Sequence, residues 1–183
     1  MNELFVKDYY QNSGREWTFI AGHLRLLKNH AIRYLYVLRR QQSCKNPLLR
    51  MWYEYKILRL SAKYGLEIGG GGIGEGLQLV HPYNITVNPQ AKIGKNCVLF
   101  KGCTIGSVRS GKRTGCPAIG NNVVIGCNAF VCGGIVIGDN VLIAANAFVD
   151  FDVPSDSLVY GNPGVIKHKE NATADYIHSL VNA

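Results

Sequence analysis

The stretch IGNNVVIGCNAFVCGGIVIGDNVLIAANAFV, residues 119–149, has an aliphatic side chain at every sixth position. These positions are Ile119, Ile125, Val131, Ile137, Ile143 and Val149. Neither the period of an α-helix, about 3.6 residues, nor that of a strand, about two, produces this spacing. A six-residue period is typical of short strands joined by tight corners, which stack as parallel coils about 4.8 Å apart. We therefore predict a mainly β prism of stacked parallel coils.

Two companion rows keep the same period. Four places after each key aliphatic stands a small apolar residue, which fits a narrow interior, and three places after it stands Asn or Gly. Because Asn and Gly enter the left-handed backbone region most readily, the second row predicts a corner in each repeat. The corner row is Asn96, Gly102, Asn122, Asn128, Gly134, Asn140 and Asn146.

Upstream of residue 119 the period continues but shifts phase twice. Three aliphatic series result: Ile73, Leu79 and Ile85; Val87, Ile93, Leu99 and Ile105; and the series from Ile119. The first shift falls in LVHPYNITV, residues 79–87, and should push His81 out of the packed wall. The second falls in SVRSGKRTGCPA, residues 107–118, a basic loop able to fold over a ligand.

The first sixty residues differ in character from the repeats. They hold eleven Lys and Arg against four Asp and Glu, which accounts for most of the net charge of +8. Residues 23–40 and 46–65 predict two or three amphipathic helices, with an apolar face through Leu24, Leu27, Ala31, Leu35 and Leu38. This face would pack on the chain's own β-structure or on a neighbouring subunit; alternatively, the basic, aromatic-rich surface would lie on an anionic membrane. Charge alone gives no support for nucleic-acid binding.

Composition excludes several classes of protein. A hydrophobic content of 47% with 17% charged residues argues against disorder. No apolar run reaches the roughly 18 residues of a membrane span, the N-terminus does not resemble a secretory signal, and the six cysteines lack zinc spacing. We expect a cytoplasmic protein without a metal, organised as a helical segment (1–64), a β-domain (65–166) and a C-terminal tail (167–183) that forms a short helix.

Several segments together resemble one known family. They are GLEIG (65–69), IGEGLQLVH (73–81), ITVNPQAKIG (85–94), CTIG (103–106), PAIGNNVVIG (117–126) and DVPSDSLVYGNPGVI (152–166). They are similar to the serine acetyltransferase-like branch of the hexapeptide-repeat acyltransferases. The resemblance implies a left-handed parallel β-helix, a homotrimer, and acetyl-CoA bound in the groove between neighbouring β-helices.

The resemblance also implies a site. His81 corresponds to the general base, which activates a hydroxyl for direct attack on the thioester, and Glu67 to the acid that holds its ring. The wall and the closing segment would hold CoA through Gly126, Gly133, Gly138, Ala144, Gly161, Asn162, Pro163 and Lys167. The first shift and the loop would hold the acceptor through Tyr83, Asn84, Arg109, Lys112, Arg113 and Cys116. The remaining histidines, His23, His30, His168 and His178, are interpreted as structural or exposed.

The acceptor stays open between serine and a sugar hydroxyl. Serine acetyltransferases carry an acid before the catalytic histidine and an Arg-His-Pro unit at the end of the loop, where this chain has Val80 and Gly115, Cys116 and Pro117. A zinc-dependent carbonic anhydrase on the same fold would need three histidines, and the repeats contain only His81. A β-helix that serves as a scaffold without catalysis is the remaining alternative.

Overall fold

Helices fill the first third of the chain in the structure, a computed structural model that describes residues 2–69 and 72–177. Within these ranges the helices are α1 (Glu3–Ser13), α2 (Phe19–Lys28), α3 (His30–Ser43) and α4 (Pro47–Tyr64). The side chains of Asn2, Asn29 and Asn46 accept hydrogen bonds from backbone N–H groups in the first turns of α1, α3 and α4. These asparagines therefore satisfy donors that a helix start would otherwise leave unpaired.

The apolar face predicted through residues 24–38 is divided between two helices, which corrects the sequence interpretation. Asn29 ends α2 in an extended conformation and begins α3 with its side chain. As a result Leu24 and Leu27 are exposed, whereas Leu35 and Leu38 are buried. The cap at Asn29 overrode the helical spacing that joined these leucines.

Strands β1 to β13 form three parallel faces of a prism, which confirms the predicted parallel β-helix. The first face is β1 (Leu66–Ile68), β3 (Ile85–Val87), β6 (Thr104–Gly106), β9 (Phe130–Cys132) and β12 (Phe148–Val149). The second is β4 (Lys92–Ile93), β7 (Ala118–Ile119) and β10 (Val136–Ile137), extended by bridges at Ile73 and Val153. The third is β2 (Gln78–Val80), β5 (Val98–Phe100), β8 (Val124–Ile125), β11 (Val141–Ile143) and β13 (Ser157–Tyr160), followed by the antiparallel β14 (Val165–His168).

Each face sends one aliphatic row into the interior. The row of the third face is Leu79, Leu99, Ile125, Ile143 and Val159, which are partners in register and buried. Successive members of the six-residue series therefore visit the three faces in turn. Burial of thiols in this interior raises the pKa of Cys97 and of Cys103 to about 12, so both act as small apolar residues.

The corners follow the Asn and Gly row with one exception. Asn96, Gly102, Asn122, Asn128, Asn140 and Asn146 all have positive φ. At the remaining corner Gly133 has φ 93° instead of the predicted Gly134. The basic loop leans against this corner, and Gly134 donates its N–H to the carbonyl of Arg113 at 2.8 Å.

Both phase shifts mark residues that leave the wall. From Leu79 to Val87 the chain uses eight residues to pass from the third face to the first, whereas Leu99 to Ile105 uses six. Residues 107–117 leave between β6 and β7. We call the corner line through residues 81–84, 101–103, 126–129 and 144–147 the His81 edge. The line through residues 88–91, 107–117 and 133–135 is the loop edge, and the third is the remaining edge.

A buried ion pair joins the helices to the β-helix. Arg39 Nε of α3 donates to Asp8 Oδ2 of α1 at 2.7 Å, and both side chains are buried. Arg39 also donates to the carbonyls of Ile73 and Gly74, while Asp8 accepts the N–H of Leu77 at 2.9 Å. The helical segment is thereby fixed to the first coil.

The described part of the tail does not form the predicted helix. Val165–His168 pairs with β13, and turns follow through residue 176. Thr173 then donates to Asn140 Oδ1, and the Tyr176 ring lies 6.1 Å from that of Phe100. Pairing with the free edge of β13 and these two contacts hold the tail against the β-helix as a strand followed by turns. His178 and the rest of residues 178–183 lie outside the described residues, as do residues 70 and 71.

Candidate active site

His81 stands on the inserted corner with its side chain exposed, as predicted. Its φ is 48°, and that of Asn84 is 55°. A left-handed conformation costs an ordinary L-residue about 1–2 kcal/mol, so the surrounding structure must hold this corner in place. Pro82 is buried beneath it, and Tyr83 projects outward with 48% of its surface exposed.

Backbone hydrogen bonds hold the corner from both sides. Asn84 donates its N–H to the carbonyl of Tyr64, at the end of α4, at 3.0 Å. Gly102, in the next coil, donates to the carbonyl of Tyr83 at 2.9 Å. The position of His81 therefore depends on α4 as well as on the β-helix.

An aromatic cluster that the sequence analysis missed packs against the same corner. The His30 ring stacks on Tyr64 with 4.4 Å between centroids and lies 5.1 Å from Tyr83. Burial lowers the pKa of His30; the carbonyl of Pro82 opposes this shift, and the charges of Arg33 and Lys63 add to it. No spacing in the sequence indicated this contact, because His30 is 51 positions before His81.

Glu67 is not brought to His81 within one chain. It lies on β1, paired in register with Thr86, and among the described residues no hydrogen bond or ion pair links it to His81. Its side chain instead lines a cleft of about 400 Å³ together with Ser61 of α4 and Thr86. The pairing of Glu67 with His81 stays a prediction.

The basic loop is a small hairpin on the loop edge, separated from His81 by the first face. Val108 and Gly115 exchange backbone hydrogen bonds of 3.0 and 2.9 Å. Arg113 lies 3.6 Å from Asp152 in an exposed ion pair, and the side chains of Arg109 and Lys112 are also exposed. The loop cations and His81 thus occupy two different edges of the same prism.

The predicted cofactor residues are distributed over all three edges. Gly126, Ala144 and the turn at Gly161 follow strands of the third face and share the His81 edge. Gly138 lies on the remaining edge, and Gly133 lies on the loop edge, where an added Cβ would come 3.0 Å from the carbonyl oxygen of Arg113. A linear ligand on one chain would contact the first group but not Gly133 or Gly138 as well.

The closing segment forms the turn between β13 and β14. Gly161 has φ 89°, the peptide bond between Asn162 and Pro163 is cis, and Lys167 is exposed on β14. The turn itself lies at the end of the His81 edge, whereas Lys167, paired in register with Leu158, places one cation on the outer strand of the third face. Phosphate groups are favourable partners for such a cation.

Comparisons with known proteins agree with this geometry. A family model described as bacterial transferase hexapeptide (six repeats) matches residues 117–150. The putative colanic acid biosynthesis acetyltransferase WcaB of Escherichia coli is 33% identical over 129 residues, which cover 67% of this chain and 78% of WcaB. The chain belongs to the hexapeptide-repeat acetyltransferases.

Serine acetyltransferases are further relatives of this hexapeptide-repeat acetyltransferase. That of Synechococcus elongatus is 39% identical over 114 residues, which cover 61% of this chain and 46% of the relative. The crystal structure of Neisseria gonorrhoeae serine acetyltransferase (CysE) gives a TM-score of 0.70 with 28% identity over 92% of this chain and 65% of that one. The chain thus spans less than half of the S. elongatus enzyme.

The acetyltransferase departs from the serine acetyltransferase pattern at two positions, one beside His81 and one on the loop edge. Val80 ends β2 immediately before His81 and pairs with Phe100. Cys116 lies at the base of the loop and donates its thiol to Asn88 Oδ1 at 3.3 Å. Neither side chain carries a charge that would match an amino acid's ammonium or carboxylate group.

The described part of this acetyltransferase contains no cluster of side chains that could ligate a metal ion. No three His, Cys, Asp or Glu side chains of residues 2–69 and 72–177 lie together as ligands. The candidate site therefore consists of an imidazole, aromatic rings, backbone glycines and cations.

Proposed function

We propose that this protein transfers the acetyl group of acetyl-CoA to a hydroxyl group, with His81 as general base. The observation that carries the proposal is the exposed imidazole on an inserted, left-handed corner in a chain of the acetyltransferase family. Imidazole is the side chain whose ordinary pKa, about 6.5, allows proton transfer near neutral pH.

The reaction needs one proton acceptor and one leaving group. The acceptor oxygen attacks the thioester carbonyl carbon while the His81 ring takes the hydroxyl proton. The carbon–sulfur bond then breaks, and the proton passes from the imidazolium to the CoA thiolate, so that the free thiol leaves. General-base help of this kind contributes about 10²- to 10⁴-fold in rate.

We place the thioester in a groove between two chains of a homotrimer. His81 and the cationic loop lie on different edges of one prism, so a neighbour that presents its loop edge to the His81 edge would complete the site. The groove would then also contain Gly126, Ala144 and Gly161 of one chain and Gly133 or Gly138 of the next. Lys167 would meet a phosphate of CoA.

A saccharide hydroxyl is the acceptor that the surroundings of His81 favour. Tyr83 offers a half-exposed ring next to the base, backed by Tyr64 and His30, and such a ring can pack against the apolar face of a sugar. Val80 and Cys116 supply no charge for an amino acid acceptor. The match to WcaB over 78% of its length supports the same choice.

Serine is the second candidate acceptor, supported by the 39% identity to the S. elongatus serine acetyltransferase. The two acceptors are separated by incubating the protein with acetyl-CoA and either L-serine or a panel of free and nucleotide-linked sugars, while released thiol is measured. We expect thiol release to depend on a sugar. Stimulation of thiol release by serine alone would show that serine is the acceptor instead of a sugar. If no compound stimulates thiol release, the proposed transferase activity is refuted.

We also assign this activity to the cytoplasm. All six cysteines are free thiols, which suits a reducing compartment.

A further inference from the structure

Two helices expose an apolar surface that the chain itself leaves uncovered. On α2, Phe19 and Ile20 are 76% and 75% exposed, and Leu24 and Leu27 follow on the same side of the helix. On α4, Leu48, Trp52 and Tyr55 recur at steps of three and four and are also exposed. Such contiguous apolar surfaces mark sites that meet another surface.

Each exposed stripe has one end at the same groove. Leu27 of α2 and Trp52 and Tyr55 of α4 line an apolar groove of about 520 Å³ above α3. We call the surface formed by the α2 stripe, the α4 stripe and this groove the docking face. Because both helices border the groove, a partner that covers it would contact residues of both stripes.

Cations surround the apolar part of the docking face. Lys56 Nζ lies 4.8 Å above the centre of the Trp52 ring, and Arg59 donates to the Tyr55 hydroxyl at 3.3 Å. Lys28 and Lys63 are exposed at the ends of α2 and α4. Aromatic rings paired with long cations are characteristic of helices at a membrane interface, where the rings enter the boundary and the charges meet headgroups.

The charge balance favours one kind of partner. Together α2 and α4 carry six Lys and Arg and one acid, Glu54. Two copies of this face would oppose like charges, which disfavours self-association, whereas an anionic lipid surface is complementary. No helix in the described residues is long and apolar enough to cross a bilayer, so the contact would be peripheral.

We propose that the docking face binds the surface of an anionic phospholipid membrane, with Phe19, Ile20 and Trp52 entering the headgroup boundary and Lys56 and Arg59 pairing with lipid phosphates. The face lies on α2 and α4, whereas His81 lies on the inserted corner that follows β2.

The test is co-sedimentation of the full chain with vesicles of phosphatidylcholine alone or mixed with phosphatidylglycerol. We expect at least about tenfold tighter partition onto the anionic vesicles, lost on adding salt. The charge variant Lys56→Glu with Arg59→Glu and the apolar variant Phe19→Ser with Ile20→Ser should each lose at least about tenfold in partition.

Matched controls lie on the β-helix. Lys101→Glu reverses an exposed cation and Val136→Ser removes an exposed aliphatic side chain, and both should keep the wild-type partition. Circular dichroism confirms that each variant is folded, and sedimentation velocity gives its mass.

Four outcomes would overturn the proposal. Equal partition onto both vesicle types would remove the role of anionic lipid, and equal losses in the control variants would remove the role of this face. If the wild type ignores both vesicles, the face does not bind a membrane, and a smaller particle mass for the apolar variant would identify a second copy as its partner.

Discussion

At the scale of single residues, His81 can be tested without disturbing its corner. Asparagine occupies the left-handed region at Asn84, Asn96 and other corners, so His81→Asn keeps the backbone while it removes the base. We expect kcat to fall about 100-fold or more with an unchanged melting temperature. The measurement is the initial rate of thiol release with saturating acetyl-CoA.

The control for this variant is His23→Ala, which removes an exposed imidazole on α2. Its rate should equal that of the wild type. A His81→Asn protein that turns over normally would show that another group takes the proton.

His30 predicts a dependence of stability on pH. Its pKa is lowered in the fold by burial first and by Arg33 and Lys63, so the unfolded chain binds the proton more readily as pH falls. The contribution of neutral His30 to the free energy of unfolding is complete above about pH 6.5, the pKa in the unfolded chain. It is lost as the pH drops toward the lowered pKa in the folded protein. The melting temperature of the wild type should therefore fall between about pH 7.5 and about pH 5.5.

His30→Phe provides the comparison, because a phenyl ring can still stack on Tyr64 but does not titrate. Its melting temperature should fall less over the same interval, as measured by thermal unfolding in matched buffers. Parallel curves for the two proteins would assign the pH dependence to other groups.

At the scale of elements, the corner asparagines act through backbone conformation and through a side-chain ladder. Asn122 has φ 54° and accepts a hydrogen bond from Asn96 Nδ2 at 3.1 Å. Asn122→Ala should lose about 2 kcal/mol of unfolding free energy, since it combines left-handed strain with the lost hydrogen bond. Asn122→Gly also removes the ladder hydrogen bond, but glycine adopts positive φ without strain, so the loss of unfolding free energy should be smaller. Urea unfolding of both variants gives the order, and equal losses would exclude backbone strain as a cause.

The repeat explains why the β-helix could be predicted and where the prediction failed. Ile119 to Val149 recur because every face needs one inward aliphatic, and Asn122 or Asn128 recur because every corner needs positive φ. Gly133 replaces Gly134 because the corner there also meets the loop, a contact absent from the other repeats. The helical spacing from Leu24 to Leu38 predicted one apolar face. This prediction was wrong because Asn29 caps α3 and divides the segment into two helices.

The candidate site was predictable only in part. The shift in the repeat indicated that His81 leaves the wall. The contact of His30 and Tyr64 with its corner, however, depends on how α3 and α4 fold back on the first coil. Likewise, the assignment of Gly126 and Gly133 to different edges depends on counting three faces per coil. Such relations arise from tertiary packing, for which a single sequence carries no local signal.

At the scale of the whole molecule, the ion pair of Arg39 with Asp8 is the buried charged link between the helices and the β-helix. Arg39→Met would leave the buried Asp8 carboxylate without its cation and should cost about 3–5 kcal/mol of unfolding free energy. Lys7→Met is the control: it breaks the more exposed pair with Glu75, which keeps Lys95 at 3.2 Å, and should cost less than about 1 kcal/mol. Urea unfolding followed by circular dichroism measures both, and similar small losses would mean that the helices are held by apolar packing instead.

The division of the site between two edges predicts complementation between chains. His81→Asn lacks the base, and a second variant with Arg109→Ala, Lys112→Ala and Arg113→Ala lacks the loop cations, so each should be inactive alone. If neighbouring chains of a trimer supply the two parts, random mixing by joint refolding gives about a quarter of the sites both intact parts. Thiol release should then recover to about a quarter of the wild-type rate. Light scattering verifies the mass of the mixed particles. A mixture of confirmed trimers that stays inactive would place His81 and the loop in a site formed by one chain, with the substrate lying across the first face.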